Sequence, residues 1–262
     1  MKPIRARFPT LLSVFLATAL CAASAISAEM HVQSTLDSRI VLAFRVNSAA
    51  VQGLIPAPWQ VAPVASGPAK DANLVVTFFD RLLDQNAEGK PVNVPTYRGV
   101  AFGVPANNPQ TGESGPLLVR IFNSSPDGIP GFYKTGVLAT VTRSLSLSGS
   151  GREPGTAKER WTMKDGKGGA IDLQIEYQRS TPTRAKAEAK PRSGSDPAIW
   201  RIYRIDQSVD VLKSIPTGTD RTKNYKLRVA VPEFAKLFDG KEQLVSVTSV
   251  PWYTRQTFLP QP

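Results

Sequence analysis

The sequence predicts a mainly β protein whose sheet closes or bends strongly on itself, with a few short helices. Three observations predict it. Apolar stretches with period-two alternation recur from residue 39 to residue 250, separated by Gly-, Pro- and Asn-rich turns. Helix signals are confined to two short segments. So many strands would leave exposed edges unless the sheet closed or curled.

The elements follow in order. Residues 39–46 alternate as a strand, and Asn47-Ser48 then caps a short helical turn over 51–54 that Pro56 and Pro58 end. Residues 74–83, 94–104 and 117–122 are apolar strands rich in Val, Leu and Phe. Residues 137–142 run on into Leu145 and Leu147 with period two. Strands over 159–163 and 170–177 flank Asp165-Gly166, a hairpin signal. Residues 199–205 and 225–229 are further strands. Residues 232–238 form a short helix with Pro at its first turn and Gly240 just past its end. Residues 244–250 alternate again, and the chain closes near Trp252 and Tyr253. Residues 107–115, 148–156 and 181–197 read as loops. The last is basic, almost free of bulky apolar residues, and expected to be mobile.

The N-terminus reads as an export signal. Lys2, Arg5 and Arg7 precede an apolar run over 11–25, and small residues allow cleavage after Ala25 or Ala28. That run is shorter than the ~20 residues of a membrane span. The expectation is a signal over 1–28, one domain over 29–262, and a periplasmic or secreted protein with no membrane span after processing. Removing 28 of the 262 residues leaves 234, enough for an ordinary core. Cys21 leaves with the signal, so no disulfide is available.

This inventory narrows the chemistry. His31 is the single histidine and sits near the processed N-terminus, where fraying is expected. A Ser-His-Asp triad and most zinc sites need what the chain lacks. No phosphate-binding glycine loop is present, so neither cofactor nor metal is expected. The net charge of +11 falls to +8 without Lys2, Arg5 and Arg7. That surface favours anions, but its basic residues are scattered and no nucleic-acid partner is expected.

Two segments carry a family resemblance. FRVNSAAVQGLIPAPW, residues 44–59, resembles the strand, short helix and Pro-x-Pro turn of the acetoacetate decarboxylase-like superfamily. PTYRGVAFGVP, residues 95–105, is similar to that family's strand opening Pro-Tyr-x-Glu and ending in a Val-Pro turn. Phe79-Asp80 resembles its aromatic-acid pair. The likeness is clearest over 37–148. It implies a cone-like antiparallel β-barrel with an interior cavity for a small oxo-acid. It also implies a tendency to form homo-oligomers.

The family's enzymes use a buried lysine in a Pro-Lys-Lys context, whose neutral amine forms a Schiff base. Here the best positional match is Lys134, and the chain has no adjacent lysine pair. Gly99 stands where the family has its acid, leaving Asp80 or Glu88 to handle protons. Arg39, about two residues out of register, or Arg45 would hold a carboxylate. Tyr97 and Arg98 complete the expected pocket. Two readings follow from these residues. One is a decarboxylase-like lyase acting through Lys134. The other is a non-catalytic barrel that binds a small anionic organic molecule.

Overall fold

The computed structural model describes residues 29–260 except 93, 95, 153 and 154. The expected export signal over 1–28, and Pro95 of the second family-like segment, lie outside the described residues.

The chain runs β1 (Met30–Arg45), α1 (Ser48–Gln52), β2 (Gln60–Val61), β3 (Leu74–Asn86), β4 (Tyr97–Asn107), β5 (Ser114–Asn123), β6 (Gly136–Leu138) and β7 (Thr140–Ser148). It continues through β8 (Thr156–Lys164), β9 (Ala170–Gln178), β10 (Thr183–Ala189), β11 (Arg192–Ser193), β12 (Ile202–Ser214), β13 (Thr219–Asp220), β14 (Thr222–Ala230) and β15 (Gln243–Leu259). The expected helix over 51–54 forms as α1. The Asn47 side chain accepts hydrogen bonds from the Ala49 and Ala50 amides at 3.0 Å each, satisfying donors that the first turn cannot. Residues 232–238 instead give only a 3-10 turn over Pro232–Phe234.

The larger sheet has the order β10-β12-β15-β1-β3-β4-β5-β11, with β13, β2 and β6 paired alongside; the smaller is β14-β9-β8-β7. β11 and β6 lie parallel to β5, so the larger sheet is mixed rather than wholly antiparallel. No pairing among the described residues joins β10 to β11, so the expected closed barrel is not found. The sheet bends instead. Bulges on β15 opposite Asp37 and Arg39, and on β3 opposite Leu36 and Asp37, kink the pairing midway along β1.

Alternation along β1 sends Ile40, Leu42 and Phe44 to one face of this sheet. There they join Val76, Phe78, Val100 and Phe102 from β3 and β4. The smaller sheet covers them with Val141, Trp161, Met163, Leu173 and Ile175. Phe78 meets Trp161 with ring centroids 5.7 Å apart, and Phe102 stacks on Phe234 at 4.2 Å. Each such side chain contributes roughly 1.5–3 kcal/mol by leaving water. Trp59 belongs to this core, being 4% exposed, and does not lie on the outside of the fold.

Three segments differ from the sequence reading. β1 begins at Met30 rather than at 39, and His31 is paired within it, its Nε2 3.1 Å from Ser34 Oγ. β15 runs on to Leu259. The segment 181–197 carries β10 and β11. All three are strands whose buried or paired positions are polar or small, so hydrophobic periodicity passes over them.

Candidate functional site

The face of β1 opposite the apolar core carries Gln33, Thr35, Asp37 and Arg39. Register sets Asp84, Arg81 and Phe79 of β3 beside Thr35, Asp37 and Arg39, and Arg255 and Tyr253 of β15 on their other side. Tyr97 of β4 pairs with Arg81, and Tyr203 of β12 with Thr257. The result is a second core, built almost wholly of polar side chains.

Asp37 is its centre and is 0% exposed. One carboxylate oxygen lies 2.6 Å from Arg81 Nε, and the other accepts from Arg39 Nε at 2.9 Å and from Arg39 Nη2. Burial works to raise the Asp37 pKa. The nearby Arg81, Arg39 and Arg255 guanidinium groups outweigh it and hold the carboxyl below its ordinary value. Asp84, equally buried, accepts from Gln33 Nε2 at 2.7 Å and from the Tyr97 hydroxyl at 3.2 Å. Burial pushes the Tyr97 hydroxyl up, keeping it a neutral donor.

The guanidinium groups are stacked as well as paired. Arg39 lies 3.3 Å above the Tyr253 ring, Arg255 4.2 Å above Tyr203, and Arg201 3.7 Å above Phe132. The Tyr133 hydroxyl donates to the Tyr203 hydroxyl at 2.6 Å, and burial raises Tyr133 well above the ordinary phenol range. Arg39, Arg81 and Arg255 thus surround the Asp37 carboxylate, and Arg81 also lies 4.0 Å from Asp84. Arg255 Nε and the hydroxyls of Thr35, Thr257 and Thr135 are buried without a hydrogen-bond partner. Such an arrangement can receive an anion, since it has spare positive charge and spare donors in a low-dielectric setting.

Of the residues singled out from the sequence, Arg39 and Tyr97 lie in this cluster. Asp80 and Arg98 are on the opposite face of their strands, 3.1 Å apart, and Asp80 is also 3.4 Å from Arg143. Arg143 bridges from there to Glu159 at 2.7 Å, at the end of the apolar core. Glu159 also accepts from Trp161 Nε1 at 2.8 Å, and burial raises its carboxyl above the ordinary value despite Arg143. Arg45 is exposed and lies 3.2 Å from Asp71. Glu88 is exposed in the turn after β3, and Lys134 is exposed in the turn before β6. The neighbours of Lys134, Tyr133 and Thr135, are the residues that turn inward.

Gly99 has a steric explanation. A Cβ there would fall 2.3 Å from the Phe79 ring and 2.6 Å from the Phe122 carbonyl oxygen. The Phe79 ring occupies the place a side chain at 99 would need. The buried carboxylates of this face come from β1 and β3 instead. Asp37, Arg81, Asp84, Tyr133, Tyr203 and Arg255 were not singled out from the sequence. Arg81 lies within the apolar strand over 74–83 and Tyr203 within the strand over 199–205, while the other four fall outside the strands that hydrophobic periodicity marks.

Among the described residues, no group of three or more His, Cys, Asp or Glu side chains is placed to hold a metal. No helix among them is long and apolar enough to cross a membrane.

No protein-family model matches the sequence, and no curated protein matches it. Solved structures do. An acetoacetate decarboxylase-like enzyme from Sphingomonas wittichii is similar with a TM-score of 0.54 and 10% identity, over 89% of this chain and 93% of that one. The enduracididine biosynthesis enzyme MppR, in complex with pyruvate, is similar at 0.55 and 8% identity, over 95% and 96%. Acetoacetate decarboxylase from Legionella pneumophila is similar at 0.50 and 12% identity, over 88% and 86%. The chain has the acetoacetate decarboxylase-like fold.

Proposed function

We propose that this protein is a divergent, non-catalytic member of the acetoacetate decarboxylase-like group that binds a small organic carboxylate in its polar core. The observation that carries this reading is the excess of guanidinium groups over carboxylates around Asp37, with Arg255 Nε and the Thr35 and Thr257 hydroxyls left as free partners. Buried charge of one sign needs a counter-charge. Against Schiff-base chemistry stand the exposure of Lys134 and the ring that fills the space beside Gly99. The pyruvate complex of MppR makes pyruvate the first ligand to try. The basic start and apolar run of the N-terminal segment support an exported protein, which N-terminal sequencing of the secreted product would test.

The functional test has two arms. Calorimetric titration with pyruvate, acetoacetate and malonate should show saturable binding, weakened roughly tenfold to hundredfold in Arg255→Gln, a loss typical of one charged hydrogen-bonding partner. Borohydride reduction in the presence of either oxo-acid should leave every lysine unmodified. A lysine adduct would return the protein to the lyase reading. No binding of any carboxylate to the folded chain would remove the anion reading.

A further inference from the structure

The free edge of the larger sheet carries a self-complementary charge pattern. β10 (Thr183–Ala189) is the terminal strand, and its outer hydrogen-bonding edge is unpaired among the described residues. It contains no proline, and no bulge interrupts its register with β12. Proline and bulges are two of the devices that keep natural edges from pairing, and both are missing from β10; the lysine it does carry, Lys186, has Glu188 two residues away as its opposite charge. Residues 185–189 read Ala-Lys-Ala-Glu-Ala. Lys186 and Glu188 share one face, and the three alanines share the other. Both charged side chains are largely in solvent, at 74% and 45% exposure.

We infer that two copies of this chain pair antiparallel through β10, about a two-fold axis that passes through Ala187 normal to the sheet. That register sets Ala187 against its copy, Ala185 against the second copy's Ala189, and Lys186 against the second copy's Glu188, twice over. The neighbouring strand extends the complementarity. Lys186 is paired in register with Asp206 of β12, 4.0 Å away, and Glu188 with Arg204, 3.6 Å away. Across the join the row therefore reads Asp206, Lys186, then the second copy's Glu188 and Arg204, with signs alternating over four strands. The other symmetric registers centred on residues 185–188 fail this condition. Centring on Lys186 or Glu188 sets like charges at the axis, and centring on Ala185 opposes Arg184 to Lys186. The alanine face leaves nothing bulky to obstruct a continuous sheet.

The pairing has a consequence for the groove beside it. A groove of about 870 Å3 crosses this face, walled on one side by Lys186, Glu188, Arg204 and Asp206 and floored by Leu36, Thr254 and Gln256. An axis normal to the sheet keeps both grooves on the same side. The dimer would join them edge to edge.

The test is a charge swap read by light-scattering mass. The wild-type chain should be a dimer. Lys186→Glu and Glu188→Lys should each weaken it by about tenfold or more, because every opposite-charge pair across the join becomes a like-charge pair. The double variant Lys186→Glu/Glu188→Lys should restore it. Circular dichroism on each variant keeps misfolding apart from dissociation. A monomeric wild type, single variants that dimerise unchanged, or a folded double variant that stays monomeric would each overturn the inference.

Discussion

Strands β1 and β3 build two different cores from their two faces. On one face Ile40, Leu42, Phe44, Val76 and Phe78 meet the smaller sheet, held by contact area that has no direction. On the other, Asp37, Arg39, Arg81 and Asp84 are held by hydrogen bonds and ion pairs that require fixed partners at fixed distances. The apolar face can be rebuilt from other side chains of similar volume. The polar face cannot, because removing one member leaves its partners charged, buried and alone. Most of the fold's stability is expected from the first face and its capacity for selective recognition from the second.

The largest expected effect breaks that comparison at Asp37. Asp37→Asn should cost about 3–5 kcal/mol at neutral pH, since Arg39, Arg81 and Arg255 would then face one another without a central carboxylate. Phe78→Ala should cost about as much by leaving a cavity. Denaturant melts across pH tell them apart. Asp37 is held below its ordinary 3.8, so its stabilisation is complete above that value and is lost as the pH falls toward the depressed one. Asp37→Asn should make that acid limb shallower, and Phe78→Ala should leave it unchanged. Glu159, at the end of the apolar core, carries the opposite sign. Its carboxyl is raised above the ordinary 4.5, so its contribution is complete below 4.5 and declines as the pH rises through the folded value. Glu159→Gln should remove that decline. Asp172, Asp206, Asp210 and Asp220 are lowered too and keep part of the limb, so a limb no shallower in Asp37→Asn than in the wild type would show that the polar core does not depend on this carboxylate.

A smaller effect is expected where the two kinds of packing meet. Gly99→Ala should cost about 1–3 kcal/mol, because the new methyl would press on the Phe79 ring and the Phe122 carbonyl. In a Phe79→Ala background the ring is gone and the Phe122 carbonyl oxygen remains 2.6 Å from the new methyl position. The penalty for Gly99→Ala should then fall but not vanish, as a double-mutant cycle would read. Equal penalties in both backgrounds would mean that the ring does not set the requirement for glycine.

The two faces were unequally legible in the sequence, for the reason that makes them different. The strands over 74–83 and 117–122 could be read because apolar residues recur on their buried side. The stretches before residue 39 and beyond residue 250 bury Thr35, Asp37, Arg255 and Thr257, which are types usually found in water. Their alternation is real, but it alternates polar with polar. The segment 181–197 reads as a loop because its alanines and charges lack bulk, yet residues 183–189 pair along β12 and residues 192–193 along β5 through their backbones. Arg39 and Tyr97 come from a family pattern and lie in the same polar cluster. Lys134 came from the same pattern and lies one residue from a buried tyrosine, because adjacent residues in an inward turn point opposite ways.

That last pair gives the smallest prediction and the sharpest local contrast. Lys134 sits at φ 55° in a turn closed by its own amide donating to the Gly131 carbonyl at 3.1 Å, with its side chain exposed. Lys134→Ala removes no buried contact, so stability should move by no more than about 0.5 kcal/mol. Carboxylate affinity should not move at all. Tyr133→Phe, one residue earlier, deletes the hydroxyl that lies 2.6 Å from Tyr203 inside the polar core. It should cost about 1 kcal/mol, the net worth of one hydrogen bond, and should weaken carboxylate binding through the shift of Tyr203 beneath Arg255. If Lys134→Ala abolished binding while Tyr133→Phe did not, the working side of this turn would be its outer one. The polar core would then be structural.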